Sequence, residues 1–323
     1  MITFEHVSKT YPNGVEAVKA LSLEIAEGET LVLLGTSGSG KTTSMKMVNR
    51  LIEPTDGRIL IDGQDVMAQD PIALRRQIGY AIQHIGLFPN MTVAENISVV
   101  PRLLQWLRAR IESRVDEMLS MVDLEPSDFR DRYPLQLSGG QKQRVGVARA
   151  LAADPPVVLM DEPFGALDPI TREQLQNEFL ELESEIKKTI IFVTHDVFEA
   201  VKIGDRIALL HAGELQQLGA PREIIESPAN EFVSQFLGHH RFQLSLLTRT
   251  VRSILEELQI TPAEAPAQRP THRLRARSSL IDALDEFQTA GQASLPAYDR
   301  EQFLGTVTKP QLFHAVAQVL GEA

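Results

Sequence analysis

Eight consecutive residues near the N-terminus have the types and spacing of a phosphate-binding loop. Gly35-Thr36-Ser37-Gly38-Ser39-Gly40-Lys41-Thr42 follows the pattern glycine, four residues, Gly-Lys-Ser/Thr. Glycines let the backbone wrap closely, so that its N–H groups point at phosphate oxygens. The Lys41 ammonium would reach the β- and γ-phosphates, and the Thr42 hydroxyl would bind Mg²⁺. The pattern therefore predicts a nucleoside-triphosphate site that includes Thr43, rather than a plain glycine–serine turn.

Two carboxylates follow an apolar run later in the chain. Val157-Val158-Leu159-Met160 predicts a buried strand, and Asp161 and Glu162 come directly after it. Ligands of open α/β sheets bind at the carboxyl ends of strands, where an acidic group can hold Mg²⁺ through water. Glu162, one residue further, is placed to act as a general base on an attacking water. Together with the glycine-rich loop, this pair predicts phosphoryl chemistry.

The elements around these residues alternate between strand and helix as far as about residue 237. Apolar runs at 31–34, 157–160 and 190–193 are typical of strands buried on both faces of a parallel sheet. Leu175, Phe179 and Leu182 share one face of a predicted helix between residues 171 and 187. The segment from about 88 to 150 breaks the alternation and predicts a helical insertion.

Leu137-Ser138-Gly139-Gly140-Gln141 resembles the signature of ABC-type ATPases and lies 20 residues before Asp161. The resemblance covers residues 1–237 and implies an α/β cassette with a parallel-sheet core, an antiparallel β subdomain and the helical insertion. In that family the signature residues contact the ATP held by a partner subunit. Ser138, Gly139, Gly140 and Gln141 would therefore bind nucleotide in trans, in a dimer of two copies of this chain.

The resemblance assigns roles to four further positions. Tyr11 would stack on adenine, and Gln83 would contact Mg²⁺ and the attacking water. His195 would hydrogen-bond the γ-phosphate and hold the water and Glu162 in place. Gly165-Ala166-Leu167-Asp168 resembles the loop that carries dimer contacts. The implied cofactors are ATP and Mg²⁺, and the implied reaction is in-line attack of water on the γ-phosphoryl group.

Segments around these motifs resemble the ATPase subunits of osmoprotectant importers. They are residues 45–55, 83–89, 148–156, 168–172, 228–233 and 236–238. Glycine betaine, choline, carnitine or proline betaine would then be the solute. Importers of methionine, polyamines or sulfonates, an exporter subunit, and an ABC ATPase without a permease remain alternatives.

An importer subunit implies membrane partners. These are permease subunits and, indirectly, a periplasmic or lipid-anchored solute-binding protein. Ile85, Gly86, Leu87, Phe88 and Met91 would form a groove for a permease helix, or pack within the insertion.

The C-terminal residues resemble a single CBS motif over 250–320, after a connector at 238–249 and with a Pro/Ala-rich loop at 261–270. Ser279 is expected to cap a helix that ends at Gly291. The motif has Gln311 where nucleotide-binding CBS pairs commonly carry aspartate, so we expect a dimerising or regulatory module; nucleotide binding and a structural remnant are the alternatives.

Composition narrows the class of protein. The chain has 323 residues, a formal net charge of −11 and no cysteine. The absence of cysteine excludes disulfides and thiol catalysis. The negative net charge gives no general support for nucleic-acid binding. No apolar run reaches about 18 residues, and no signal peptide is evident, so we expect a cytoplasmic protein peripheral to the inner face of a bacterial membrane.

A basic cluster near the C-terminal module is formed by Arg269, Arg273, Arg275 and Arg277. It is either a solvated edge or a contact with anionic lipid.

Overall fold

The computed structural model describes residues 1–82, 86–165, 167–260, 270–299 and 301–322, without the side chains of residues 184, 185, 320 and 322. The strands are β1 (Ile2–Thr10), β2 (Glu16–Ile25), β3 (Thr30–Gly35), β4 (Asp56–Ile61), β5 (Gln64–Asp65), β6 (Ile78–Ala81), β7 (Val157–Asp161), β8 (Thr189–Thr194), β9 (Arg206–His211), β10 (Glu214–Gly219), β11 (Leu274–Arg275), β12 (Ser294–Asp299) and β13 (Gln302–Thr308). The helices are α1 (Lys41–Val48), α2 (Pro71–Arg76), α3 (Val93–Ile97), α4 (Val99–Leu103), α5 (Arg108–Met121), α6 (Pro126–Phe129), α7 (Gly139–Leu151), α8 (Pro169–Ile186), α9 (Val197–Ile203), α10 (Pro221–Glu226), α11 (Glu231–Leu237), α12 (Arg241–Thr248), α13 (Val251–Glu257), α14 (Leu280–Ala290) and α15 (Lys309–Glu322). The chain forms two compact units, Met1–Leu218 and Gly219–Ala323.

Two sheets organise the first unit. The central sheet has the strand order β10-β9-β3-β8-β7-β6, and the strands from β9 to β6 run parallel. An antiparallel sheet has the order β2-β1-β4-β5. The three apolar runs identified in the sequence are β3, β7 and β8, and every residue of these strands is buried. The expected parallel core and antiparallel subdomain are therefore confirmed.

Both faces of the central sheet are covered, which explains why its strands are uniformly apolar. Leu31, Leu159 and Ile191 face a core shared with α1 and the antiparallel sheet. Phe192 points the other way, and its ring centroid lies 5.9 Å from that of Phe164. Buried aromatic pairs of this kind contribute about 0.5–1.5 kcal/mol beyond the burial of their area.

The segment between β6 and β7 is helical, as expected, and comprises α3 to α7. Asn96 is completely buried in it and holds the preceding loop in place. Its amide nitrogen donates to the carbonyl oxygens of Phe88, Met91 and Thr92, and its Oδ1 accepts from the Phe88 N–H.

The second unit contains the mixed sheet β11-β12-β13 and a core that α12 to α15 share. Ser279 caps α14 with a reciprocal hydrogen-bonded box, and Gly291 ends that helix at a φ of 63°. Both features confirm the predicted start and stop of this helix. Gln311 Oε1 accepts from the N–H and the hydroxyl of Thr308 at 2.9 and 2.8 Å, so its side chain caps the last helix.

The division between the units lies earlier than the expected domain boundary after residue 237. Helices α10 and α11 belong to the second unit. The stretch 238–249, expected to be a connector, contains α12, whose Leu244 and Leu246 are buried in this unit. Apolar residues in this stretch pack with the C-terminal module, which sequence periodicity over so short a segment did not reveal. Residues 261–269 of the expected Pro/Ala-rich loop, Arg269 among them, lie outside the described residues.

Candidate nucleotide site

The glycine-rich loop, the carboxylates Asp161 and Glu162, and His195 lie at one edge of the central sheet because strands β3, β8 and β7 are parallel and adjacent. In the register of β3 with β8, Leu34 lies opposite Thr194, and in that of β7 with β8, Asp161 lies opposite Val193. The glycine-rich loop, the two carboxylates and His195 therefore leave the sheet side by side. Their positions in sequence are far apart, and only strand pairing brings them together.

The glycine-rich loop needs its first and last glycines. Gly35 has a φ of 152°, and a Cβ there would lie 2.1 Å from the carbonyl oxygen of Leu210. Gly40 has a φ of 99°, and its Cβ would lie 2.3 Å from the carbonyl oxygen of Ala17. No other residue type fits either place without moving backbone. Between them Thr36, Ser37 and Gly38 are exposed, whereas Ser39 is buried, so the loop presents its tip to solvent.

Lys41 begins α1 and folds back over the loop. Its Nζ donates to the carbonyl oxygens of Gly35 and Thr36, at 2.8 Å each, and lies 3.5 Å from Ser39 Oγ. Burial lowers the pKa of this ammonium, against the opposing charges of Glu162 and Asp161. A cation kept in place by loop carbonyls, at the start of a helix, suits polyphosphate oxygens.

Asp161 is buried at the end of β7 and contacts α1. Its Oδ1 accepts from Thr42 Oγ1 at 2.9 Å, and its Oδ2 lies 3.9 Å from Lys46 Nζ. Burial raises the pKa of Asp161, although the Thr42 hydroxyl and Lys46 oppose the shift. Burial of the Tyr80 side chain, and to a smaller extent the negative charge of Asp161, raises the pKa of Tyr80 to about 12. A hydroxyl and a carboxylate in contact form the oxygen donor set that Mg²⁺ prefers.

Lys46 was not anticipated from the sequence. It lies one helical turn after Thr42 on α1, and that i, i+4 spacing was the available signal.

Glu162 and His195 form a contact pair beside Asp161. His195 Nδ1 lies 3.3 Å from Glu162 Oε1, and the histidine side chain is 62% exposed against 20% for the glutamate. Glu162 adopts a φ of 45°, which is uncommon for a residue with a side chain, and its N–H donates to the Val193 carbonyl at 2.9 Å. Strand β8 thus supports the carboxylate backbone and presents the histidine to it.

Tyr11 is joined to the same helix. Its hydroxyl lies 3.3 Å from Thr43 Oγ1, and Lys9 Nζ lies 5.5 Å from the centre of its ring. The tyrosine therefore stands next to the start of α1, where the resemblance places the base of a nucleotide.

The signature residues lie at the start of α7. Ser138 caps this helix, with Gln141 N–H donating to Ser138 Oγ at 3.3 Å and Ser138 N–H donating to Gln141 Oε1 at 3.0 Å. Ser138 and Gly139 are exposed, so the helix start is open to a ligand or a partner.

Gln83, expected near the γ-phosphate, lies outside the described residues, as do His84 and Ile85 and, in the dimer-contact loop, Ala166. Gly86, the first described residue after this gap, contacts helix α7, because Arg149 Nη1 donates to the Gly86 carbonyl at 2.7 Å.

A model of the family described as ABC transporter matches residues 18–165, so the first unit is a P-loop ATPase domain of the ABC type. The chain is 58% identical over 241 residues to the glycine betaine/carnitine/choline transport ATP-binding protein OpuCA of Bacillus subtilis, a match that spans 75% of this chain and 63% of that protein. It is 47% identical over 302 residues to the glycine betaine uptake system ATP-binding protein YehX of Escherichia coli, with 93% and 95% covered. The chain belongs to the family of ABC transporter ATP-binding proteins.

A solved structure is also similar. The dimeric structure of MJ0796, a bacterial ABC transporter cassette, is 38% identical, covers 68% of this chain and 98% of its own, and has a TM-score of 0.61. Among the described residues of our chain, no helix combines the length and the apolar character needed to cross a membrane.

Proposed function

We propose that this chain hydrolyses ATP, with Glu162 as the general base and His195 as its partner. The observation that carries this proposal is the 3.3 Å contact between the two side chains, at the sheet edge that also holds Lys41 and Asp161. Lys41 would stabilise the charge of the γ-phosphoryl group, and Glu162 would accept a proton from water attacking in line. His195 would fix the position of the carboxylate. Catalysis then depends on positioning and charge rather than on a covalent intermediate.

The donor set at Asp161 fits Mg²⁺, which would neutralise charge on the phosphate oxygens. Thr42 would bind the ion through its hydroxyl and Asp161 through water, with Gln83 as a third contact. The Thr42 hydroxyl that now donates to Asp161 would instead offer its oxygen lone pairs to the ion.

Two copies of this chain would form the complete site. Each ATP would lie between the glycine-rich loop of one copy, residues 35–43, and Ser138, Gly139, Gly140 and Gln141 of the other. Two observations support this arrangement. The capped start of α7 is exposed, and the similar cassette structure is a dimer.

The transported solute would be an osmoprotectant such as glycine betaine, choline, carnitine or proline betaine. Glycine betaine, carnitine and choline are the solutes named for OpuCA and glycine betaine is that named for YehX, which the chain resembles over nearly its full length, whereas proline betaine rests on the sequence motifs alone. The match to OpuCA covers less than two thirds of that protein. The solute is inferred from these two relatives and not from a binding site in this chain.

A permease would dock on the helical insertion. Apolar side chains are unusually exposed there, among them Phe88, Leu103, Leu104 and Leu107. A contiguous apolar patch on the surface is typical of a protein interaction site. Phe88 adjoins the segment after Gln83, so docking and nucleotide contact would be linked through one loop. The chain would then lie at the inner face of the membrane, with the solute-binding protein on the opposite side.

The C-terminal module would act in dimerisation or regulation. Gln311 is engaged with Thr308, which agrees with a role other than nucleotide binding. Arg275 and Arg277 are exposed, and contact with anionic lipid is the alternative to a plain solvated edge.

Reconstitution tests the proposal. The chain would be assembled in liposomes with the permease and binding protein encoded beside it, and ATP-driven uptake of labelled glycine betaine measured. Wild type should import the label, and Glu162→Gln should not. Competition with unlabelled choline, carnitine and proline betaine ranks the solutes.

ATP hydrolysis without betaine uptake would overturn the solute assignment and retain the ATPase. Absence of both activities from a folded, assembled wild-type complex would overturn the proposed function.

A further inference from the structure

Arg172 connects the two loops that carry the proposed catalytic pair. It lies in the first turns of α8, and its Nη2 donates to the carbonyl oxygen of Leu167 at 3.2 Å. Its Nη1 lies 3.9 Å from Oδ2 of Asp196. Leu167 lies in the loop between Glu162 and α8, and Asp196 directly follows His195. One guanidinium therefore touches both loops from outside the site.

Asp196 divides its two oxygens between two tasks. Oδ1 caps α9, accepting from the N–H groups of Phe198 at 2.9 Å and Glu199 at 3.3 Å. Oδ2 faces Arg172. The position of the residue after His195 thus depends on the helix cap on one side and on the arginine on the other. A planar cation with several donors suits such a double contact better than an ammonium.

A second link from α8 lies one helical turn further on. Gln176 Nε2 donates to Glu199 Oε1 at 3.1 Å, and both side chains are buried. Arg172 and Gln176 occupy i and i+4 on α8, so they present one face of this helix to the segment 194–199. The charge of Arg172 also acts on the Glu199 carboxylate. The helix therefore holds this segment as a unit.

We propose that Arg172 is a positioning residue that sets the separation of Glu162 and His195. This role rests on the proposed ATPase function. None of the described contacts joins Arg172 to the glycine-rich loop. Removing the guanidinium would release the Leu167 carbonyl and Oδ2 of Asp196 together and let the two loops move apart. A misplacement of about 1 Å in a catalytic group can lower turnover by about a hundredfold.

Arg172→Met tests the proposal against a matched control. Arg206 has a closely similar environment at the opposite edge of the sheet. Its Nη1 contacts one backbone carbonyl, of Glu24, and one carboxylate, of Glu29, at 3.1 Å each, and its exposure of 36% matches the 33% of Arg172. Arg206→Met removes equivalent contacts but leaves the catalytic edge intact.

The kinetic signature separates positioning from stability. We expect Arg172→Met to lower kcat for ATP by about tenfold or more, with KM within about twofold of wild type, since nucleotide binding does not involve it. Arg206→Met should leave kcat within about twofold. Arg172→Lys retains the charge and should recover part of kcat. Thermal melting of all three variants shows whether stability changes equally.

Asp196→Asn supplies a second, independent measurement. Asparagine can still cap α9 through its carbonyl oxygen, but its amide no longer attracts the guanidinium. We expect this variant to lower kcat as well, and the double variant to lose little beyond the larger single effect, because contacting residues are not additive.

Two results would overturn the inference. One is an unchanged kcat in Arg172→Met, and the other is strictly multiplicative effects in the double variant. If wild type hydrolyses ATP and Glu162→Gln does not, either result removes only the role of Arg172. A folded wild type without ATPase activity removes the proposed function and, with it, this inference.

Discussion

His195 Nδ1 lies 3.3 Å from Oε1 of Glu162, although 33 positions separate the two residues in the chain. Strand β8 creates this contact, because it accepts the Glu162 N–H at Val193 and then delivers His195 two residues later. The carboxylate is mostly covered, with 20% of its side chain exposed, whereas 62% of the imidazole side chain is exposed. This contact is the geometry that the proposed roles of Glu162 as base and His195 as its positioning partner require.

Glu162→Gln should abolish turnover and preserve ATP binding. An amide of the same shape cannot accept the proton of the attacking water, and general base catalysis contributes about 10²–10⁴-fold. We expect steady-state ATP hydrolysis to fall by at least about a hundredfold, while the variant still binds ATP and forms a closed dimer measurable by size-exclusion chromatography. Rapid hydrolysis by this variant would remove Glu162 from the role of base.

Lys41→Met should weaken nucleotide binding. The ammonium is kept over the loop by two carbonyls, and charge-assisted hydrogen bonds contribute about 1.5–3 kcal/mol each. We expect the Kd for ATP to rise about tenfold or more, measured by calorimetry with Mg²⁺ present. Lys19→Met serves as the control, since Lys19 forms an exposed ion pair with Glu214. Equal affinities in the two variants would contradict the assignment.

Substitutions of Asp161 and of Lys46 should shift the Mg²⁺ concentration needed for nucleotide binding in opposite directions. Lys46 Nζ lies 3.9 Å from Asp161 Oδ2, so its charge repels a cation arriving at this carboxylate. Lys46→Met is expected to lower the Mg²⁺ concentration that half-saturates nucleotide binding, by a fewfold, and Asp161→Asn to raise it. A titration of binding against Mg²⁺ at fixed ATP measures both. An Asp161→Asn variant whose half-saturating Mg²⁺ concentration stays unchanged or falls would exclude Asp161 as the magnesium carboxylate.

Tyr11 should contribute its ring rather than its hydroxyl. Stacking of a base on an aromatic ring contributes about 1–3 kcal/mol. We expect Tyr11→Ala to weaken ATP binding about tenfold or more, whereas Tyr11→Phe, which loses the contact with Thr43, stays close to wild type. Tripolyphosphate lacks adenine, so its affinity should be the same in all three proteins. A parallel loss of tripolyphosphate affinity would show a general effect on the loop instead.

Glu199 should make the stability of the first unit depend on pH. Burial raises its pKa above the ordinary 4.5, although Thr194 and Gln176 oppose the shift. The folded state thus holds the proton more tightly than the unfolded chain, and the stabilisation is complete below pH 4.5 and is lost as pH rises through the raised pKa. Glu199→Gln cannot ionise, so the unfolding free energy of wild type relative to this variant should fall as pH rises over that window.

Trp106, the chain's one tryptophan, lies in the same unit and reports its unfolding by fluorescence. Urea titrations at a series of pH values from below 4.5 upward provide the measurement. Glu112→Gln is the control, because that carboxylate is exposed and paired with Arg108. If Glu112→Gln changes the pH dependence of the unfolding free energy as much as Glu199→Gln does, the effect does not arise from Glu199.

The phosphate-binding loop and the acidic strand end were both predictable from sequence. Each is local, since a strand, a turn and a helix start are encoded by neighbouring residue types and spacing. The caps of the second unit were predictable for the same reason, as Ser279 and Gly291 illustrate.

The contacts between these elements were decided by the tertiary structure alone. Strand order places Asp161 beside Val193 and Leu34 beside Thr194, and no local pattern encodes which strands are neighbours. Arg172 bridges the Leu167 carbonyl and Asp196, and Gln176 contacts Glu199. Both links form because the first part of α8 packs against the start of α9. Residue types and their local order specify which chemical groups the protein carries, whereas long-range packing sets the distances and the burial that control how those groups are charged and which of them act together.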